Sequence, residues 1–236
     1  MKIVADLHIH SIASGHAYST IEEYVAQAKK IGLKAIAITD HGPAMPGGPH
    51  DYHFQNMRMI PQVLDGIRIY RGIEANVIDA EGNMDTPPAD FTKLDIVMVA
   101  MHPRCGYENE GEERNTEVLL RALEKYPEIN VIAHPGNPKY PINVQKTVAA
   151  AKEKGVLIEI NNSSFTSRAG SWEKCLDFAR EIKRQNWKVI IVSDSHISTM
   201  LGGFDKALEL IKEAGLTEEH VVNTSMERIE KYLLKK

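Results

Sequence analysis

Two histidines two positions apart, His8 and His10, end an apolar run that begins at Ile3. In an extended backbone residues i and i+2 project from the same face, so both imidazoles can reach one metal ion. The chain repeats this pattern: short apolar runs end in Thr39-Asp40-His41, Gly72-Ile73-Glu74, Ala100-Met101-His102, Ala133-His134-Pro135 and Ser193-Asp194-Ser195-His196. A lone HxH pair is more often incidental than a metal site, and His41 or His134 taken singly reads as a turn residue. Glu74 resists that reading, because a carboxylate buried at a strand end without a cation or partner is costly. Of ten histidines, seven (His8, His10, His16, His41, His102, His134 and His196) fall at or just beyond expected strand ends, together with Glu74 and Asp194. Nine nitrogen and oxygen donors with no cysteine among them suit zinc, manganese or iron. Nine exceed what one ion with an open position uses, so two or three divalent ions are expected. Of the remaining three, His50 and His53 are candidates for the mouth of such a site and His220 reads as a surface residue.

These donors need a scaffold that gathers strand ends. Strand-like and helix-like segments alternate along the chain. The first strand is followed by a helix with Ser19 or Thr20 as N-cap, Glu22 and Glu23 in its first turn and Gly32 as its stop. Further strands are expected at 34–39, 68–74, 95–100, 130–133, 156–161 and 188–193, and further helices at 116–125, 143–154, 171–184, 204–214 and 226–234. Gly42–Pro49 reads as a loop over the site, Ala80–Asn83 as a small hairpin, and Pro103–Asn115 as a polar, turn-rich segment. Alternation of this kind predicts an α/β fold with a parallel sheet. Because polar residues end strands along the whole chain, a closed barrel, which gathers all strand ends at one mouth, is favoured over an open sheet with a single switch point.

Composition narrows the partners. The 236 residues are 43% hydrophobic and 25% charged, ordinary globular usage and a usual length for one barrel domain spanning 1–236. A net charge of -4, with no basic run longer than a pair such as Lys235-Lys236, leaves no electrostatic footprint for nucleic acid or an anionic membrane. Cys105 and Cys175 make no disulfide framework. With no signal-peptide pattern and no apolar run of membrane-span length, a cytoplasmic protein is expected.

Six stretches carry a family resemblance: Asp6-Leu7-His8-Ile9-His10-Ser11 with His16, Ile38-Thr39-Asp40-His41-Gly42, Gly72-Ile73-Glu74-Ala75-Asn76, His134-Pro135-Gly136-Asn137-Pro138, Glu159-Ile160-Asn161-Asn162-Ser163-Ser164-Phe165 and Ser193-Asp194-Ser195-His196. From end to end the chain resembles the PHP (polymerase and histidinol phosphatase) family and within it is most similar to the YcdX-type phosphatases. The resemblance implies a distorted (β/α)7 TIM-like barrel, a trinuclear centre usually described with zinc, and phosphoesterase activity. Carried over by position, the first ion would be held by His8, His10, Glu74 and Asp194, the second by Glu74 with His102 and His134, and the third by His16, His41 and His196.

A carboxylate shared by two cations brings them close enough to share a water whose pKa falls towards neutrality, giving a hydroxide able to attack phosphorus in line. Glu74, Asp194 and Asp40 are the candidate catalytic carboxylates, and Asp40, Asn161 and Asn162 are candidates for supporting or substrate contacts. Arg104, Arg168 and Lys139 read as solvated charges unless their loops face the mouth, where they would meet phosphate. The expected function is hydrolysis of a small phosphomonoester. Phosphodiester or nucleotide hydrolysis and a non-catalytic metal-binding role are the alternatives. A barrel amidohydrolase would leave His16, His41 and His196 surplus. A homo-oligomer such as a trimer is expected.

Overall fold

The computed structural model describes residues 1–233, so the end of the last helix expected, at Leu234, and the Lys235-Lys236 pair lie outside the described residues. In chain order the first half comprises β1 (Ala5–Ile9), α1 (Ile21–Ile31), β2 (Ala35–Ile38), α2 (Asp51–Asn56), β3 (Val63–Leu64), β4 (Ile67–Asn76), α3 (Pro88–Phe91), β5 (Ile96–Ala100) and α4 (Glu112–Lys125). There follow β6 (Val131–Ile132), α5 (Val144–Lys154), β7 (Leu157–Asn161), α6 (Ser164–Ser167), α7 (Ser171–Gln185), β8 (Val189–Val192), α8 (Asp205–Ala214) and α9 (Met226–Leu233). The parallel order β1-β2-β4-β5-β6-β7-β8 forms a nearly closed barrel of seven strands, with β3 added antiparallel to β4. This is the distorted (β/α)7 arrangement expected.

Two apolar layers explain why these strands form. One joins Leu7, Ala37, Tyr70, Met98, Val131, Leu157 and Ile190 inside the barrel, floored by Ile229 and Leu233 of α9. The other joins Ile36, Ile69, Ile73, Val97, Ile158 and Ile191 to the surrounding helices. Leu7 and Ile9 share strand parity yet belong to different layers. The cause is a register shift: Asp6 pairs with Ile36 and Ile9 with Ile38, so β1 carries one residue more than β2 over this interval. Such a bulge re-aims the side chains beyond it, and here it turns His8 and His10 into the barrel.

The seam between β1 and β8 is closed largely by side chains. At the top His10 N donates to Ser195 O at 2.9 Å, and Tyr24 Oη lies 2.9 Å from both His10 O and Ser195 O. Lower down, buried Asn223 acts as a substitute strand: Oδ1 accepts from Ile191 N at 3.0 Å, and Nδ2 donates to Ala5 O at 2.9 Å and Ile191 O at 2.6 Å. Asp6 accepts from Ser193 N at 3.1 Å and Gly202 N at 3.0 Å, and its burial pushes its pKa up to about 6.

Some elements differ from the sequence reading. α4 starts at Glu112, before Thr116, because Glu112 and Glu113 favour the first turn of a helix. α2 and β3 had no periodic signal, being too short to show one. The hairpin expected at Ala80–Asn83 is a single bridge, Val77 to Met84, closed by Asp79 Oδ1 accepting from Glu81 N at 2.9 Å and Asn83 N at 3.1 Å.

Replacing Asn223 with Ala strands one buried N–H and two carbonyls. We expect Asn223→Ala to lose about 3 kcal/mol in urea unfolding, reflecting several unsatisfied groups.

Candidate metal centre

All seven parallel strands deliver their C-terminal ends to one mouth. The β2–β4 pairing continues past β2 to a bridge between His41 and Glu74, with Gly42 N donating to Glu74 O at 2.9 Å and Glu74 N to Asp40 O at 3.0 Å. Asp194 and His134, just beyond β8 and β6, hold left-handed backbone angles, φ 54° and 30°. Such angles are costly for residues other than glycine and tend to persist where side-chain direction matters. Gly15 and Gly47 cross so closely that a Cβ on Gly15 would strike the Gly47 carbonyl, which lets the 42–49 loop lie over the turn carrying His16.

The structure brings all nine expected donors together. Three pairs of imidazole nitrogens face one another: His8 Nε2 and His10 Nε2 at 3.0 Å, His16 Nε2 and His41 Nε2 at 3.1 Å, and His102 Nε2 and His134 Nε2 at 3.1 Å. Two donors of a tetrahedral cation stand roughly 3.3 Å apart for bonds near 2.0 Å, so the spacing fits shared ions. Asp194 Oδ1 lies 3.1 Å from His10 Nε2 and 3.6 Å from His8 Nε2, while Glu74 Oε2 lies 3.5 and 3.6 Å from the same two nitrogens. Glu74 Oε1 lies 2.7 Å from His134 Nε2 and 3.6 Å from His102 Nε2. His41 Nδ1 approaches Glu74 Oε2 to 2.7 Å, yet the geometry makes no hydrogen bond and both buried atoms lack a hydrogen-bond partner. Orphaned lone pairs of this kind fit a divalent cation. His10, His41 and His196 also form a compact donor set, as do His8, His10 and Asp194.

Electrostatics favours cation binding. Burial opposes charge on Glu74, but the imidazoles of His102, His8 and His41 hold its pKa well below the usual carboxylate range. Asp194 is likewise held well below its usual value against burial, chiefly by His8 and His10. Burial, reinforced by His41, drives His10 down to about 3, leaving it neutral. His8 is raised despite burial, because Glu159, Glu74 and Asp194 surround it.

Behind the donors lie residues that fix them. His8 Nδ1 donates to Glu159 Oε2 at 2.8 Å, and His102 Nδ1 donates to Asn76 Oδ1 at 2.8 Å. Asn76 is itself tied to Asp85, through N to Oδ1 at 2.9 Å and Nδ2 to Oδ2 at 2.6 Å. His10 Nδ1 donates to Ser14 Oγ at 3.3 Å, and Ser14 Oγ donates to Asp40 Oδ1 at 2.7 Å. Each contact protonates Nδ1 and leaves Nε2 free to ligate. Asp40 therefore stands one side chain behind His10, its oxygens also taken by Ser11 and His53. Glu159, Asn76 and Asp85 had no role in the sequence reading. Glu159 carried the same cue as Glu74, an acid within an apolar strand, Leu157–Asn161.

A cleft of about 440 Å³ opens onto these donors. Arg168 lines it and approaches Asp194 Oδ2 at 3.4 Å, so it is not the solvated charge the sequence suggested. Asn161 Nδ2 donates to the same oxygen at 2.9 Å. Asn162 instead anchors α8, accepting from Ala207 N at 3.0 Å. Arg104 and Lys139 are exposed and absent from the cleft lining. His50 caps α2, and His220 accepts from Thr217 N at 3.1 Å. No described helix is long and apolar enough to cross a membrane.

Fold and site together define a β/α barrel with a multi-histidine metal centre at its C-terminal mouth. Residues 6–214 match the model of the PHP domain. The chain belongs to the PHP domain family. It is 48% identical over 236 residues to a protein of Acetivibrio thermocellus named "probable phosphatase", covering 100% of this chain and 97% of that one. A protein of the same description from Thermoanaerobacter sp. (strain X514) is 47% identical, covering 100% and 96%. Among solved structures, a histidinol phosphate phosphatase of Lactococcus lactis in complex with zinc, L-histidinol and phosphate shares the fold, with TM-score 0.65, 20% identity and coverage of 90% of this chain and 94% of that one.

Glu159→Gln keeps the shape of the side chain but replaces the carboxylate that accepts from His8 Nδ1 with a neutral amide. Chelator competition is expected to show metal affinity about 10- to 100-fold weaker, with unfolding little changed.

Proposed function

We propose that this chain, acting as one domain, is a metal-dependent phosphatase that hydrolyses a small phosphomonoester with three divalent ions, zinc foremost. Glu74 carries the reading: its carboxylate stands between the His8–His10 pair and the His102–His134 pair, within 3.6 Å of all four Nε2 atoms. His8, His10, Glu74 and Asp194 would hold one ion, Glu74 with His102 and His134 a second, and His16, His41 and His196 a third. Bound at these positions, divalent cations neutralise phosphoryl oxygens and lower the pKa of water enough for attack on phosphorus at neutral pH. The names of the full-length relatives support phosphoester chemistry, as do the zinc and phosphate bound by the Lactococcus enzyme of the same fold.

The chain's own residues prepare the rest. Glu159, Asn76 and the Ser14–Asp40 pair lock the imidazole tautomers, so no reorientation is needed as charge develops. Arg168, at the cleft wall, offers guanidinium N–H groups to a phosphoryl oxygen, and Asn161 keeps Asp194 turned inward. No side-chain nucleophile is required.

Three outcomes test this. Protein purified without added metal should contain about three ions per chain by elemental analysis and hydrolyse p-nitrophenyl phosphate until a chelator is added. Glu74→Ala, still folded by circular dichroism, should lose at least about 100-fold in kcat. Because imidazole ligands must be deprotonated and His8 is held in its protonated range by its carboxylates, metal affinity should rise with pH through neutrality. Calorimetry in buffers of different ionisation enthalpy would show the released protons.

A further inference from the structure

The cleft wall beyond the metal donors is where the alcohol portion of a phosphoester would lie, and its chemistry narrows what that alcohol is. Met45, Ser163, Thr166, Ser167, Arg168 and Met200 form this wall. Among the described residues lining the cleft, only Asp194 carries a carboxylate. Both of its oxygens are engaged, Oδ1 by His10 at 3.1 Å and Oδ2 by Asn161 at 2.9 Å and Arg168 at 3.4 Å. Thr166 Oγ1 and Ser167 Oγ donate to Ser163 O at 3.1 and 2.7 Å. Their protons are thus committed, and their remaining lone pairs are acceptors for ligand hydroxyls. Met45 and Met200 add deformable apolar edges that tolerate varied carbon skeletons.

An ammonium group entering this cleft would find no free carboxylate and would face a guanidinium in a site that also gathers divalent ions. Like charges so placed are strongly disfavoured, and the neutral acceptors Thr166 and Ser167 carry no charge to offset them. A neutral hydroxyl finds acceptors in Thr166 and Ser167 and a donor in Arg168. Resting on the phosphatase reading, we propose that the substrate is the phosphomonoester of an uncharged polyol, and that phosphates of amino alcohols are rejected by the absence of a counter-charge on this wall.

The test compares glycerol 1-phosphate with 2-amino-1,3-propanediol phosphate, which differ in one hydroxyl against one ammonium, using the metal-loaded protein at neutral pH and p-nitrophenyl phosphate as the reference. The expected result is a kcat/KM at least about tenfold higher for glycerol 1-phosphate, given the penalty on like charges. Thr166→Asp installs the missing carboxylate and should narrow that ratio at least about fivefold, whatever it does to overall turnover. Equal or greater turnover of the amine by the native protein overturns the inference, as does an unmoved ratio in Thr166→Asp. Failure to hydrolyse even p-nitrophenyl phosphate would instead overturn the phosphatase reading beneath it.

Discussion

The constraint on which this structure turns is the burial of two anionic carboxylates, Glu74 and Asp194, inside a barrel whose lower layers are hydrocarbon. Charge cannot remain there unless it is surrounded by donors or cations. The molecule answers with imidazoles, ranged around the carboxylates and each presenting a nitrogen to the same small volume. The backbone serves that end: the bulge in β1 that turns His8 and His10 inward, the left-handed angles at His134 and Asp194, and the extension of the β2–β4 pairing to bring His41 beside Glu74.

The barrel interior is thereby graded from floor to mouth. Ile229 and Leu233 close the floor, Leu7, Met98 and Leu157 fill the middle, and polar groups take over where the strands end. The gradient explains why burial keeps His10 and His102 neutral while their rings stay well oriented. Asn76, Glu159 and Ser14 sit at the boundary and tie down the ring nitrogens that face away from the centre.

Much of this was legible in the sequence because its signals are local. An apolar run followed by His, Asp or Glu is readable without knowing the topology, and the nine donors so found do converge. Thr20 caps α1 and Gly32 stops it, as their types suggest. What escaped detection depended on long-range geometry. Glu159 meets His8 across most of the chain, a contact that has meaning only once β7 and β1 share an interior. Arg168 could not be told from Arg104 and Lys139 by sequence, and only the placement of α6 beside Asp194 puts it, and not them, on the cleft wall. Asp40 was legible as a group supporting the ligands, but Ser14, through which it reaches His10, was not.

The seam closed by Asn223 carries a consequence for the order of events in a growing chain. The strand that holds His8 and His10 is made first, yet the side chain that secures it against β8 comes from position 223. Closing a ring between chain ends this far apart is the slowest kind of contact to form. During translation β1 must therefore wait, paired only with β2, until β8 and residue 223 have left the ribosome. A nascent chain can gather His41, Glu74, His102 and His134 early, but it cannot seat Asp194 and His196 against His10. The full donor set becomes available only once residues 194–223 have joined the barrel.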